Sequence, residues 1–148
     1  MKLLLIQGAN MEYLGKRQPE LYGTTTAAEL DAMLQAEATR RGITLDIRYT
    51  NLEGEAITWC YQADRAGCDG LLLNPAGFTY AGYALRDCLK ALTMPAIEIH
   101  MTNIEKRGMH SATGEAAVGA VMGFGVDSYF VALEAMVRLL TKNRTASG

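Results

Sequence analysis

The run Lys2-Leu3-Leu4-Leu5-Ile6-Gln7 decides the fold class of this sequence. A short, uninterrupted apolar run is typical of a strand that is buried on both faces of a parallel sheet. A second run of this kind, Gly70-Leu71-Leu72-Leu73-Asn74, stands far along the chain and is expected to end at Pro75. The sequence therefore predicts two buried strands that come from distant parts of the chain.

Helices and further strands alternate along the remaining sequence. Thr26-Ala27-Ala28-Glu29 has the pattern of a capping box, and Asp127 is expected to cap the last helix. Helices are predicted at residues 26–41, 54–66, 80–92 and 127–141, and strands at 43–49, 96–100 and 117–124. This alternation predicts an α/β fold, an open parallel sheet with helices on both faces. Such sheets bind ligands at the carboxyl ends of their strands, which directs attention to the segments after Gln7, Leu73 and Ile99.

Composition limits the possible classes of protein. The chain has 148 residues, of which 49% are apolar and 20% charged, so one globular catalytic domain is predicted over residues 1–142, with a frayed tail at 143–148. A net charge of −2 gives no sign of a nucleic acid or an anionic membrane as a partner. The first apolar run is too short for a signal peptide or a membrane span, so a cytoplasmic location is expected.

The cysteines and histidines argue against a metal site. Cys60, Cys68 and Cys88 are odd in number and show no C-x-x-C spacing, and the chain has only two histidines. Reduced thiols that act as small core residues are therefore expected, and no metal is predicted.

The segment from Gln7 to Gly23, QGANMEYLGKRQPELYG, is too polar for a core and longer than most connecting loops. Its glycines do not have the spacing of a phosphate-binding loop, and Arg17 stands where that motif needs serine or threonine. Tyr22, five residues after Arg17, is either a base with its activating guanidinium or an amphipathic tyrosine that packs its ring and exposes its hydroxyl. The spacing leaves both interpretations open.

Two further strand ends carry polar side chains. Glu98 and His100 are two residues apart on a strand, so they share a face and form either an acid–base pair or a solvated pair at the strand end. Asn74 either binds a substrate hydroxyl or belongs to an ordinary turn. The set contains a base, an acid and amide donors but no nucleophile. This inventory suits proton abstraction next to a carbonyl, followed by loss of a leaving group.

Several motifs, in order along nearly the whole chain, resemble the type II 3-dehydroquinate dehydratase family. The matching segments are GANMEYLGKRQPELYG, TNLEGEAITW, LLLNPAGFTYAGYALRD, PAIEIHMTNI and GFGVDSYFVAL. The resemblance implies a flavodoxin-like, doubly wound five-stranded parallel sheet and a lyase that needs no metal or cofactor. It also implies a trimer-based homododecamer that converts 3-dehydroquinate to 3-dehydroshikimate and water. The corresponding pathways are the shikimate pathway of aromatic amino acid biosynthesis and quinate catabolism.

The resemblance assigns catalytic roles to five residues. Tyr22 would be the base that removes the proton alpha to the ketone, with Arg17 as its activator. Asn10 would hold the water that stabilises the developing enolate. His100 would protonate the departing hydroxyl, oriented by Glu98.

A second set of residues is implied to bind the substrate. The backbone at Met101 and the hydroxyl of Thr102, where the family has serine, would hold the substrate carboxylate. Asn74 would contact ring hydroxyls, and Asp87 would reach across a trimer contact into a neighbour's site. Arg107 matches an arginine of a mobile lid.

Two departures from the family pattern concern substrate recognition. The pattern N-P-G-A-Y-T-H is N-P-A-G-F-T-Y here, so Tyr80 replaces a substrate-binding histidine. After Arg107 the chain is a few residues short and lacks a second lid arginine. Three hypotheses follow: a 3-dehydroquinate dehydratase, a divergent enzyme acting on another cyclic or hydroxy-keto carboxylic acid, or a non-catalytic relative. The preserved catalytic set makes the first the leading hypothesis. Tyr80 and the shortened segment after Arg107 favour the second, and the intact catalytic pairs argue against the third.

Overall fold

The apolar runs form the centre of a five-stranded sheet in the computed structural model, which describes all residues, Met1–Gly148. The strands are β1 (Lys2–Ala9), β2 (Thr44–Tyr49), β3 (Gly70–Ala76), β4 (Ala96–His100) and β5 (Gly119–Met122). All are parallel, in the order β2-β1-β3-β4-β5. The helices are α1 (Pro19–Tyr22), α2 (Ala27–Arg40), α3 (Glu53–Arg65), α4 (Tyr83–Ala91) and α5 (Asp127–Ala146). The prediction of a flavodoxin-like α/β fold is confirmed.

Side chains of β1 alternate between two hydrophobic cores, one on each face of the sheet. Leu3 and Leu5 pack with buried residues of α2 and α5, whereas Leu4 and Ile6 pack with buried residues of α3 and α4. Because both faces are covered by helices, every position from Leu3 to Ile6 is apolar, and this is why the strand has no polar alternation. The helix α2 begins as predicted, with the Glu29 amide donating to the Thr26 hydroxyl at 3.1 Å.

The prediction that Pro75 ends the third strand is wrong. β3 continues to Ala76, which pairs with Ala9 of β1. Proline is tolerated because parallel pairing uses alternate residues, so the missing amide of Pro75 costs no ladder hydrogen bond. The backbone of β1 approaches this point closely, since a Cβ atom on Gly8 would lie 2.2 Å from the Pro75 carbonyl oxygen.

Two helix boundaries also differ from the predictions. α4 begins at Tyr83 instead of residue 80, because a 3-10 turn at Gly77–Thr79 precedes it and Gly82 packs against the backbone of that turn. Asp127 is not the cap of α5. It is the first helical residue, and no side chain caps the start of this helix.

The last helix is longer than predicted and ends at Ala146. Its final turns are held by an ion pair from Arg144 to Asp69 at 3.0 Å and by the Thr141 and Thr145 hydroxyls, which donate to carbonyls one turn earlier. Fraying of the last residues stays a prediction. No helix combines the length and apolar character needed to cross a membrane. The cysteines are free thiols, and no cluster of three or more metal-ligating side chains occurs.

Ala76 has a strained backbone at the end of β3. Its φ of 46° and ψ of −117° lie in a region that glycine adopts easily and an L side chain does not. The family pattern quoted above has glycine at this position. Such strain costs about 1–3 kcal/mol and is common where a chain turns into a functional site.

Replacing Ala76 with glycine is therefore expected to stabilise the protein. Relief of strain of about 1–3 kcal/mol exceeds the gain in unfolded-state entropy of about 0.4–1 kcal/mol, so Tm should rise by roughly 2–4 °C. Ala66→Gly is the matched control. Ala66 has a φ of −80° and no strain to relieve, so glycine there only raises the conformational entropy of the unfolded chain and should lower Tm. If the Tm of Ala76→Gly is at or below that of the unmodified chain, the backbone of Ala76 is not strained and the prediction is wrong.

Candidate active site

The carboxyl ends of β1, β3 and β4 meet beside the point where the strand order reverses, between β1 and β3. This is the position where open parallel sheets form ligand-binding crevices. A crevice occurs here, and its lining combines two guanidinium groups, two tyrosines, one amide and several methionines. The lining residues are Met11, Arg17, Tyr22, Asn74, Ala76, Gly77, Tyr80, Met101, Arg107 and Met109.

The loop that follows β1 is anchored at its start. Met11 and Leu14 are buried in the core shared with α2 and α5, and Asn10 adopts a left-handed backbone with φ of 74°. The Asn51 side chain accepts from the Asn10 amide at 2.9 Å and donates to Glu12 at 2.8 Å. Asn10 itself lines a recess next to Tyr22, so the loop brings these two candidate residues to one side of the crevice.

Two arginines surround Tyr22. The Arg17 guanidinium lies 5.4 Å from the centre of the Tyr22 ring, a cation–π contact. Arg107 donates to the Tyr22 hydroxyl at 3.3 Å and to the Thr102 hydroxyl at 2.9 Å. The sequence suggested Arg17 as the activating group. In the structure, the guanidinium that touches the Tyr22 oxygen belongs to Arg107.

Glu98 and His100 form a buried pair, so the alternative of a solvated strand-end pair is excluded. The exposed fractions of the two residues are 1% and 5%, and the Glu98 Oε1 atom lies 2.5 Å from His100 Nε2. The chain supplies no hydrogen-bond partner to the other ring nitrogen, Nδ1, which therefore stays free. Met101, the next residue after His100, lines the crevice, whereas Glu98 and His100 are not among its lining residues.

Glu98 is ionised in spite of its burial. Burial raises its pKa, but hydrogen bonds from His100, Ser111 and Thr113 outweigh the loss of solvent and hold the pKa below its ordinary value. The Thr113 hydroxyl donates to Glu98 Oε2 at 2.6 Å, and the Ser111 hydroxyl lies 3.2 Å from that of Thr113. The ionised Glu98 carboxylate therefore offers one oxygen to the His100 ring and the other to the Thr113 hydroxyl.

Asn74 belongs to a buried polar chain beneath the crevice. Its Nδ2 atom donates to the Tyr129 hydroxyl at 2.7 Å, and its Oδ1 atom accepts from the Ala76 amide at 3.0 Å. The Tyr129 hydroxyl donates in turn to Gln7 at 2.7 Å, and burial raises the pKa of Tyr129. The second Nδ2 hydrogen of Asn74 faces only the Met11 sulfur at 3.5 Å, a weak contact that a substrate oxygen could replace.

Two predicted recognition residues lie at the edge of the crevice or outside it. Tyr80 is at the rim, with 65% of its surface exposed. Asp87 is on the exposed side of α4, where its carboxylate pairs with Arg86 at 3.2 Å, and it does not line the crevice of its own chain.

Sequence reasoning missed several residues that support the site. Ser111 and Thr113 fall between the predicted strands at 96–100 and 117–124, where no element was predicted, yet both are buried. No periodic pattern marks them. Tyr129 could have been found, because buried positions of α5 recur at helical spacing along one face, namely at Tyr129, Ala132, Leu133, Met136 and Leu140.

The fold and the site together define a class of protein. A parallel five-stranded sheet carries a tyrosine with two arginines and a buried glutamate–histidine pair at the carboxyl edge of its strands. These are features of an acid–base site without a nucleophile.

Comparison with known sequences identifies the family. The family described as Dehydroquinase class II matches residues 1–137. This chain belongs to that family, as the sequence motifs predicted.

Relatives of about the same length as this chain are named 3-dehydroquinate dehydratase or type II dehydroquinase. The 3-dehydroquinate dehydratase of Thermus thermophilus is 41% identical over 134 residues, which cover 88% of this chain and 90% of the relative. That of Xanthomonas campestris is 40% identical over 144 residues, covering 95% and 97% of the two chains. The crystal structure of the type II dehydroquinase from Butyrivibrio crossotus superimposes with a TM-score of 0.88 at 30% identity, covering 92% of this chain and 97% of that one. By their names, the two dehydratases are hydro-lyases.

Proposed function

We propose that this protein is a hydro-lyase that removes water from 3-dehydroquinate to give 3-dehydroshikimate through an enolate. The observation that carries the proposal is the meeting of Tyr22, Arg17 and Arg107 in one crevice beside the buried pair of Glu98 and His100. A base and an acid are needed on two different atoms of the substrate, and this arrangement supplies both without a nucleophile.

Tyr22 is the base in this proposal. Its phenolate takes the proton on the carbon next to the substrate ketone, and the electrons move to the carbonyl oxygen to form the enolate. The guanidiniums of Arg17 and Arg107 stabilise the phenolate electrostatically, one over the ring and one at the oxygen. Asn10, in the recess next to Tyr22, holds the water that donates to the enolate oxygen.

His100 is the acid in the second half of the reaction. The enolate electrons return to form the carbon–carbon double bond as the hydroxyl departs, and the proton from His100 Nδ1 makes the leaving group water. Glu98 contacts Nε2, so it fixes the orientation of the ring and stabilises the imidazolium. Return of the Tyr22 proton to His100 restores the starting state, and no metal or cofactor takes part.

Recognition of the substrate is assigned to the remaining predicted residues. The Met101 backbone, the Thr102 hydroxyl and Arg107 would bind the carboxylate, and Asn74 would bind a ring hydroxyl. Asp87 is exposed and outside its own crevice, which suits a role in the crevice of a neighbouring subunit. The resemblance to the family adds three further parts to the proposal. They are a trimer-based homododecamer, a cytoplasmic location, and a role in the shikimate pathway of aromatic amino acid biosynthesis or in quinate catabolism.

A second candidate is a family member that acts on a different cyclic or hydroxy-keto carboxylic acid. It is favoured by Tyr80 at the rim, where the family pattern has histidine, and by the apolar Met109 in the shortened segment after Arg107. A non-catalytic relative is less well supported, because an ionised, buried Glu98 is costly and a scaffold has no need of it. A comparison of kcat/KM for 3-dehydroquinate with that for other hydroxy-keto ring acids separates the candidates. A clear preference for another acid would reject the first.

Tyr80→His is expected to change KM more than kcat. Restoring the histidine of the family pattern adds one hydrogen bond to the bound substrate, and this should lower KM by roughly 2- to 12-fold. Tyr83→His is the matched control, since Tyr83 is also exposed but does not line the crevice. Steady-state kinetics with 3-dehydroquinate make the measurement. An unchanged kcat/KM in Tyr80→His would show that position 80 does not touch the substrate.

A further inference from the structure

The second carboxylate oxygen of Glu98 has a partner that the mechanism above does not use. Glu98 Oε1 contacts His100, and Oε2 accepts a hydrogen bond of 2.6 Å from the Thr113 hydroxyl. Thr113 is fully buried, and its hydroxyl is 3.2 Å from that of Ser111. Because a buried carboxylate needs donors on both oxygens to stay ionised, the Thr113 hydroxyl completes the set that His100 begins.

Thr113 is held in place by two neighbouring segments. The Ala112 amide donates to the Thr79 carbonyl at 2.9 Å, which ties the backbone of this loop to the 3-10 turn before α4. The Thr113 methyl lies 3.3 Å from where a Cβ atom of Gly82 would stand. The hydroxyl therefore has a fixed direction toward Glu98, so it can set the carboxylate rotamer as well as its charge.

We propose that Thr113 is a positioning residue of the reaction, whose hydroxyl keeps Glu98 ionised and aligned so that His100 is held as a proton donor. The proposal deepens the proposed function and rests on it for the role of His100. It also gives the segment 107–113 two tasks, since this segment carries both the crevice arginine Arg107 and the hydroxyl that supports Glu98.

The other charged groups on this face of the sheet do not reach Glu98. Arg86 and Lys90 of α4 pair with Glu115, in the 3-10 turn Gly114–Ala116, at 3.5 and 3.1 Å, and Asp87 pairs with Arg86. The strand neighbours of Glu98 are Leu73 of β3 and Ala120 of β5, which do not titrate. His100 is thus the one ionisable side chain that contacts Glu98, and Ser111 and Thr113 are its neutral donors.

Replacing Thr113 with valine tests the proposal by the pH dependence of the rate. In the proposed mechanism Glu98 is ionised, so its protonation is one of the titration steps on the acidic side of kcat/KM. Loss of the donor removes stabilisation of the carboxylate, and the Glu98 step of this acidic limb should move up by about one to two pH units. Thr113→Ala should give the same shift, and Thr113→Ser, which keeps the donor, should restore the original limb. Ser111→Ala should move the limb in the same direction, because the Ser111 hydroxyl also lowers the pKa of Glu98 and lies 3.2 Å from the Thr113 hydroxyl.

A second readout does not depend on turnover. The chain has two histidines, so a His110→Gln background leaves one imidazole, and its NMR signals report the low-pH titration step of the Glu98–His100 pair. That step should move up in Thr113→Val and Thr113→Ala by the same amount as the rate limb. If Thr113→Val or Thr113→Ala folds and the low-pH titration step of the pair keeps its position, the proposal is overturned. A merely structural role of Thr113 would lower Tm and leave that titration step unchanged. A moved step, in a protein whose unmodified form does not turn over 3-dehydroquinate, would reject the proposed function but leave the effect of Thr113 on the Glu98–His100 pair established.

Discussion

Replacing Tyr22 with phenylalanine is expected to lower kcat for 3-dehydroquinate by about 10²- to 10⁴-fold, the usual contribution of a positioned general base. The substitution removes one oxygen from a half-buried side chain whose ring stays in contact with Arg17. The loop is anchored by the buried Met11 and Leu14, so the fold and the substrate KM should change little. Steady-state kinetics, with Tm as the check on folding, make the measurement.

Tyr13→Phe is the matched control for this experiment. Tyr13 lies in the same loop, is 59% exposed, and does not line the crevice, so its hydroxyl should contribute nothing to kcat. Retention of more than about a tenth of the activity by Tyr22→Phe would remove Tyr22 from the role of base.

His100→Gln is expected to lower kcat by a similar factor of about 10²–10⁴, because it removes the proton donor of the second step. Glutamine keeps a nitrogen donor for Glu98 Oε1, so the buried carboxylate is not left without a partner on that side. The loss should therefore appear in the rate and only weakly in Tm.

The other histidine supplies the control. His110 is exposed and has no hydrogen-bond partner in the chain, so His110→Gln should leave kcat and Tm unchanged. Equal losses in the two variants would indicate a general effect of histidine removal and would contradict a specific role for His100.

The fold could be predicted because its determinants are local. The apolar runs of β1 and β3 and the capping box at Thr26 each specify an element within a few residues. The errors occurred where tertiary contacts override local signals. Pro75 stays in the ladder because its partner strand requires no amide there, and α5 begins at Asp127 without a side-chain cap.

The site was predictable only in part for the same reason. Glu98 and His100 could be paired from their spacing, since strand geometry alone puts them on one face. The contact of Arg107 with Tyr22 joins residues 85 positions apart, and no local pattern encodes it. The Thr113 hydroxyl reaches Glu98 only because the intervening loop folds back and is buried. A single sequence contains no signal for contacts of this kind.

The most direct test of the proposed function uses purified protein and 3-dehydroquinate. The product, 3-dehydroshikimate, contains a conjugated enone, so its formation is followed by ultraviolet absorbance. We expect a rise in absorbance in proportion to the concentration of enzyme, without added metal or cofactor, and its disappearance in Tyr22→Phe. Absence of any absorbance change at high enzyme concentration would contradict the assignment of this chain as a 3-dehydroquinate dehydratase.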